Sequence, residues 1–322
     1  MLAGARLPIR SIFFTFILMI VPHRLYASCG GAFCTLNTAW ETQGVWTEPG
    51  MRLDLRYEYI NQDQLRHGTD KVAAGEIARE HDEIKTLNRN LVATLDYSAG
   101  PAWGVSAQVP MVSRRHSHIH TDENELLTWD FSALGDIRIL GRHQFLTEPS
   151  HSETWGILFG AKLPTGDTDK RNSAGNVAER TLQPGSGTMD VIVGVYYNTL
   201  LFLQERPTTA FVQAIAQAPL KSYNQFRPGN QLTLDAGLRY PLSQAWHAML
   251  QTNILFKLND EGTNAAPKDS GGTFIWASPG IGYTASRYWQ IYGFVQLPLY
   301  QRVNGVQLTA DWAASMGMSW RF

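Results

Sequence analysis

Residues 306–322, VQLTADWAASMGMSWRF, constrain the fold more than any other stretch of this 322-residue chain. Every even position there is apolar or aromatic: Val306, Leu308, Ala310, Trp312, Ala314, Met316, Met318, Trp320 and Phe322. The positions between are polar or small: Gln307, Thr309, Asp311, Ala313, Ser315, Gly317, Ser319 and Arg321. Alternation of period two marks a strand, and this run is about three times the usual globular length. Such a strand needs an apolar solvent on one face and a polar interior on the other, the situation of an outer-membrane barrel strand.

The same alternation recurs from Met51, with Met51, Leu53, Leu55, Tyr57 and Tyr59 on one face and Arg52, Asp54, Arg56 and Glu58 on the other. Four charges on one face of one strand suit a water-filled lumen. Period-two segments predict strands over 51–60, 87–98, 103–113, 128–145, 154–164, 189–202, 208–221, 231–240, 246–258, 272–284, 288–300 and 306–322. The fold expected over 51–322 is therefore all-β, a twelve-stranded antiparallel transmembrane β-barrel of the bacterial outer membrane. Segments 62–86, 114–125 and 165–188 read as long external loops, and the connections around SAGPAW, 146–153 and QERP as short periplasmic turns. An even strand number puts both ends of the barrel in the periplasm. Trp103, Trp155, Trp246 and Trp289 begin rising strands, which predicts an aromatic girdle at that end.

Composition agrees. Aromatics make up 11% with 10 Trp, yet mean hydropathy is −0.20, as expected when lipid-facing residues are diluted by a polar lumen. A net charge of −1 gives no electrostatic case for a nucleic-acid partner. Residues 1–27 read as a signal peptide: Arg6 and Arg10, an apolar run over 12–21, Pro22, and a small-residue cleavage site at Ala27. Export to the outer membrane of a Gram-negative cell follows. Segment 28–50 is expected in the periplasm and carries both cysteines, Cys29 and Cys34. A disulfide between them fits an oxidising compartment; lipidation of Cys29 and a share in a metal site are the other readings. Phe322, behind strict alternation, resembles the C-terminal signal read by the outer-membrane assembly machinery. That machinery, outer-membrane lipid and lipopolysaccharide are the expected partners, with a small-molecule solute.

Inward parity selects candidate lumen residues Arg52, Arg56, Glu58, Asp96, Asp235, Arg239 and Asp311. A local repeat adds more. Gln108-Val-Pro110, Lys162-Leu-Pro164, Gln217-Ala-Pro219 and Gln296-Leu-Pro298 recur near the outer ends of rising strands, with Lys257-Leu-Asn259 at the equivalent place in the remaining one. Proline at a strand end is consistent with a simple rim bend. The functional reading is a ring of Gln108, Lys162, Gln217, Lys257 and Gln296 that narrows the outer mouth and sets selectivity.

His116, His118 and His120 share one face if their strand continues upward, and could hold a divalent metal with Asp122 or Glu123. Otherwise they are a solvated loop beside Arg114 and Arg115. No cofactor beyond that metal is expected. Gly185-Ser186-Gly187 lacks the spacing of a nucleophile elbow, and His247 falls on lumenal parity near the periplasm. Without a catalytic constellation, no enzyme is expected.

Two motifs carry a family resemblance: GAKLPTGDTDK over 160–170, and LQPGSGTMDVIVGVYY over 182–197 with Glu179 shortly before. Here the chain resembles the outer-membrane barrels named for the meta-cleavage pathway of phenol degradation. The resemblance implies a barrel and a transport-like role, with uptake of small aromatic compounds suggested by the name. The function expected is a channel or transporter passing a small solute through a polar lumen. The alternative is a non-conducting surface barrel that binds a divalent metal through His116, His118 and His120.

Overall fold

The computed structural model describes residues 49–78, 81–120, 125–145 and 153–322. The expected signal peptide, Cys29, Cys34 and nearly all of segment 28–50 lie outside these residues, as do Asp122 and Glu123.

The described strands are β1 (Gly50–His67), β2 (Asp70–Lys71), β3 (His81–Ser98), β4 (Trp103–His120), β5 (Glu125–Leu134), β6 (Arg138–Phe145), β7 (Glu153–Lys162), β8 (Asp190–Leu203), β9 (Arg206–Pro219), β10 (Gln231–Pro241), β11 (Trp246–Lys257), β12 (Gly272–Thr284), β13 (Trp289–Val303) and β14 (Val306–Arg321). Each pairs antiparallel with its neighbours, and β14 returns to β1 from Arg52↔Arg321 up to His67↔Val306. Met51 and Phe322 exchange both backbone hydrogen bonds at 3.0 Å, so the closing seam reaches the last residue. β2 is a two-residue return at the tip of β1, and β5 and β6 both pair with β4 as one interrupted strand. Twelve staves remain, in a closed antiparallel barrel. Among the described residues no helix is long and apolar enough to cross a membrane.

The alternation sorts side chains as the physics requires. On β1, Arg52, Asp54, Arg56, Glu58, Ile60 and Gln62 are buried inward, while Leu55 and Tyr57 face out. Trp103, Trp155, Trp246 and Trp289 are exposed at or near the first residues of β4, β7, β11 and β13. Trp289 stacks on Trp320 at 5.5 Å and Trp155 on Phe145 at 4.1 Å.

Three features differ from the sequence reading. First, β1, β3 and β4 each have 18 residues, against about ten for a tilted transmembrane strand. Much of 62–86 and all of 114–120 are therefore strand, an overhang above the membrane. Outward apolar Leu91, Met111 and Leu134 give way to exposed Lys85, Arg89, Arg115 and Asp130 farther up. That change marks the upper edge of the lipid-facing band.

Second, the strand expected over 128–145 breaks at 135–137. Gly135 N donates to Pro110 O at 2.8 Å. Its missing side chain leaves room for loop 163–189, because a Cβ on Gly135 would lie 3.2 Å from Pro184 O. Gly166 and Gly185 meet backbone to backbone at the same place: a Cβ on Gly166 would lie 2.7 Å from Gly185 Cα and 2.8 Å from Gly135 C. The two Gly motifs of the family resemblance thus fold inward onto the wall instead of standing outside it.

Third, the long C-terminal alternation is interrupted. Opposite Ile60 and Gln62, β14 goes from Ala313 to Ala310, an irregularity of register. Above it Val306 and Leu308 are buried with Leu65 under Val72 and Ile77, so the 69–78 segment covers what parity would have exposed.

Candidate functional site

The lumen has two regions of different character. In the lower half, at the end where the chain closes, wall side chains crowd into the bore and narrow it. Phe211, Met249, Tyr292 and Phe294 form an inward cluster. The rings need glycines on adjacent strands to lie against: a Cβ on Gly237 would come within 2.5 Å of Phe211, on Gly280 within 2.4 Å of Phe294, and on Gly317 within 2.4 Å of Tyr292. Charged groups beside the cluster are hydrogen-bonded. Arg52 donates twice to Asp96 Oδ2, at 3.0 and 2.8 Å. Asp54 accepts from Tyr292 Oη at 2.9 Å and from Ser319 Oγ at 2.5 Å. Arg239 donates to His247 Nε2 at 3.0 Å. Higher up, Asp235 accepts from Asn253 at 2.7 Å and Gln213 at 3.2 Å.

Above this lies a cavity of about 320 Å³. Of the candidate ring, Gln108, Lys162, Gln217 and Lys257 line it; Gln296 is buried on β13 away from it. Arg56 and Glu58 form its floor side, joined at 2.9 Å, with Asn90 on Glu58. Asp311 is not among the inward residues: it sits at the β14 irregularity, half-exposed, 3.1 Å from the equally exposed Lys71. Six cationic side chains line the cavity (Arg56, Arg114, Arg138, Lys162, Arg180, Lys257) against four acidic ones (Glu58, Asp136, Asp190, Asp260). Val92, Pro110, Val112, Pro184, Phe226, Pro228 and Leu255 supply apolar wall between them.

Loop 163–189 is the roof of this cavity, contributing Arg180, Thr181, Gln183, Pro184 and Ser186. Asp136, in the β5–β6 break, holds it. Its Oδ1 accepts from Gly166 N at 3.0 Å, and its Oδ2 from Ser186 N and Lys162 Nζ, each at 2.9 Å. Lys162 also lies 3.3 Å from Asp190 and donates to Thr188 O at 3.1 Å. Arg114 adds a strap to Leu182 O at 2.6 Å while its Nε donates to Asn88. Trp129 Nε1 donates to Asn176 O at 2.9 Å. Asp136 was not singled out by sequence. Its only signal is a lone acid after Gly in a strand, and its partners are far along the chain.

The histidine run lies on β4 with its even positions inward. His116 and His118 are buried beside Trp129, at centroid distances of 5.9 and 4.9 Å. They do not converge with His120 on one point. The side chains that do converge are His81, from the tip of β3, His118 and Glu179 of the loop. Burial pushes the Glu179 carboxyl up, but the His81 hydrogen bond and the neighbouring imidazoles outweigh it and hold the group at about 2.

A model of the family described as "Putative MetA-pathway of phenol degradation" matches residues 93–309. Among solved structures, the COG4313 outer membrane channel from Pseudomonas putida F1 is similar with a TM-score of 0.59, 12% identity, and coverage of 87% of this chain and 98% of that one. The translocator domain of the autotransporter NalP from Neisseria meningitidis follows at TM-score 0.46 and 12% identity, over 88% of this chain and 92% of that one. The KdgM porin gives 0.42 and 10%, over 84% and 99%. No curated protein matches the chain in sequence. At these identities the likeness is one of fold.

Proposed function

This chain belongs to the family described as the MetA-pathway of phenol degradation, and from that premise we propose that it is an outer-membrane channel passing a small solute through its lumen. The observation that carries the reading is the cavity of about 320 Å³ between the packed lower lumen and the hinged roof of loop 163–189. A volume of this order accepts one small organic molecule. Its wall alternates apolar faces with hydrogen-bonding groups, and six cationic side chains outnumber four acidic ones. A small aromatic ring bearing an oxygen, neutral or singly anionic, fits that chemistry. The family description points the same way. Passage is by diffusion, with Gln108, Lys162, Gln217 and Lys257 as the polar contacts and no bond made or broken. Gln296, off the cavity, has no part in this selectivity. The exposed band below Arg89 and Arg115 seats the barrel in lipid, with lipopolysaccharide against the charged rim and Phe322 presented to the assembly machinery.

The test is single-channel recording of the folded mature chain in a planar bilayer. Discrete conductance with a modest anion preference supports the reading. Silence both in the native chain and in a variant whose lower aromatic cluster has been truncated would sink it.

A further inference from the structure

At the outer end of the barrel, one ligand-bearing residue comes from each of three elements: His81 from β3, His118 from β4 and Glu179 from loop 163–189. All three are buried, and one ligand atom from each lies within 4.8 Å of the others. His81 Nε2 is 3.2 Å and His118 Nδ1 4.0 Å from the same oxygen, Glu179 Oε1. A tetrahedral ion with bonds of about 2.1 Å spaces its ligand atoms about 3.4 Å apart. Side-chain shifts of about an ångström would therefore close the site on an ion.

Two imidazoles and one carboxylate suit zinc, cobalt, nickel or copper and not calcium or magnesium. The surroundings resemble the outer shell of such sites. Thr86 Oγ1 lies 2.8 Å from His116 Nδ1, and His116 Nε2 lies 3.3 Å from His118 Nδ1, a contact that positions the His118 ring and is exchanged for the ion if Nδ1 is the ligating atom. Trp129, Phe131, Ala178 and Leu182 make an apolar wall on one side. His120 flanks the group, its ring centroid 5.3 Å from that of His118 and 6.1 Å from that of His81. The group lies above exposed Lys85 and Arg115 on β3 and β4, on the outer side of the lipid band.

We propose that His81, His118 and Glu179 bind one divalent transition-metal ion of the zinc class, tying the cavity roof to the β3–β4 wall. This site differs from the His116, His118 and His120 set expected from sequence. It stands whether or not the barrel conducts.

The probe is cobalt(II) alone, titrated into the folded full mature chain with Cys29 and Cys34 replaced by Ser to remove thiolate ligands. One equivalent is taken up with visible d–d absorption of nitrogen and oxygen ligation, and zinc displaces it. Glu179→Gln and His118→Ala each weaken binding at least about tenfold, since even outer-shell losses cost that much. His247→Ala in the lower lumen and His143→Ala on the outward-facing aromatic girdle beside Trp103 leave it unchanged. As a second readout, zinc slows proteolysis of loop 163–189 in the parent and not in Glu179→Gln, whose near-isosteric change keeps the fold. Absence of stoichiometric uptake by the parent overturns the proposal. So does uptake undiminished in Glu179→Gln of unchanged circular dichroism.

Discussion

The lower and upper lumen are closed by different devices. Below, Phe211, Met249, Tyr292 and Phe294 come from the barrel strands themselves and rest on glycines of neighbouring strands. Above, the obstruction is loop 163–189, pinned by the Asp136 carboxylate, the Arg114 strap and the Glu179 contact. A side chain on a hydrogen-bonded wall clears the bore only by changing rotamer against packed neighbours. A loop held at a few points can leave as a unit. The lower half thus sets a fixed bore, and the upper half contains the part able to open.

The largest effect on this contrast comes from removing the fixed obstruction. Phe211→Ala with Phe294→Ala is expected to raise single-channel conductance several-fold, and to cost about 3 kcal/mol or more of barrel stability per ring. Urea unfolding and bilayer recording check the two halves of that statement. Unchanged conductance would show that the bore is limited elsewhere.

Next is the release of the roof. Asp136→Ala removes the acceptor shared by Gly166 N, Ser186 N and Lys162 and leaves Lys162 beside Asp190 alone. Breaking a buried pair on one side costs about 3–5 kcal/mol, here drawn from loop docking because β6–β7 pairing is untouched. Protease sensitivity of 163–189 and open-channel noise both rise, while the unfolding midpoint of the barrel moves little. Gly185→Ala acts on the same hinge with less force. Its Cβ would meet Gly166 O at 2.4 Å, an overpacking cost of about 1–3 kcal/mol, read as partial protease sensitivity. Equal and large losses of barrel stability in both variants would mean that the loop is part of the wall.

What the sequence made legible follows the range of the interactions. Strand alternation is local, so closure of twelve staves and the inward set Arg52, Arg56, Glu58 and Asp96 can be read directly. The Gln/Lys-x-Pro repeat, with its proline-free counterpart at Lys257, led to four residues on one cavity because equivalent positions on successive rising strands share a level. Asp311 and Gln296 show the limit: a register irregularity displaced one, and the other lies off the cavity. Val306 and Leu308 look lipid-facing by parity but are covered by a segment far away in sequence. Asp136, His81 and Glu179 were invisible as a group because each meets its partners only after the loop folds inward.

The smallest expected effect tests whether charge in the upper cavity is sensed at all. Lys257 is partly exposed and pairs with Asp260 at 2.9 Å. Lys257→Gln lowers the cationic count on the cavity from six to five against four acids. In a wet lumen one unit charge a few ångströms from a passing ion contributes about 1 kcal/mol, and Asp260 already offsets part of it. The anion-to-cation permeability ratio is therefore expected to fall by about twofold or less, with single-channel conductance nearly unchanged. Reversal potentials in a salt gradient resolve a change of that size. The same neutralisation below, Arg52→Gln, would strand a buried Asp96 and appear as lost stability with no selectivity to measure. A selectivity shift from Arg52→Gln and none from Lys257→Gln would mean that charge is sensed in the lower constriction and not in the upper cavity, reversing the roles assigned to the two regions.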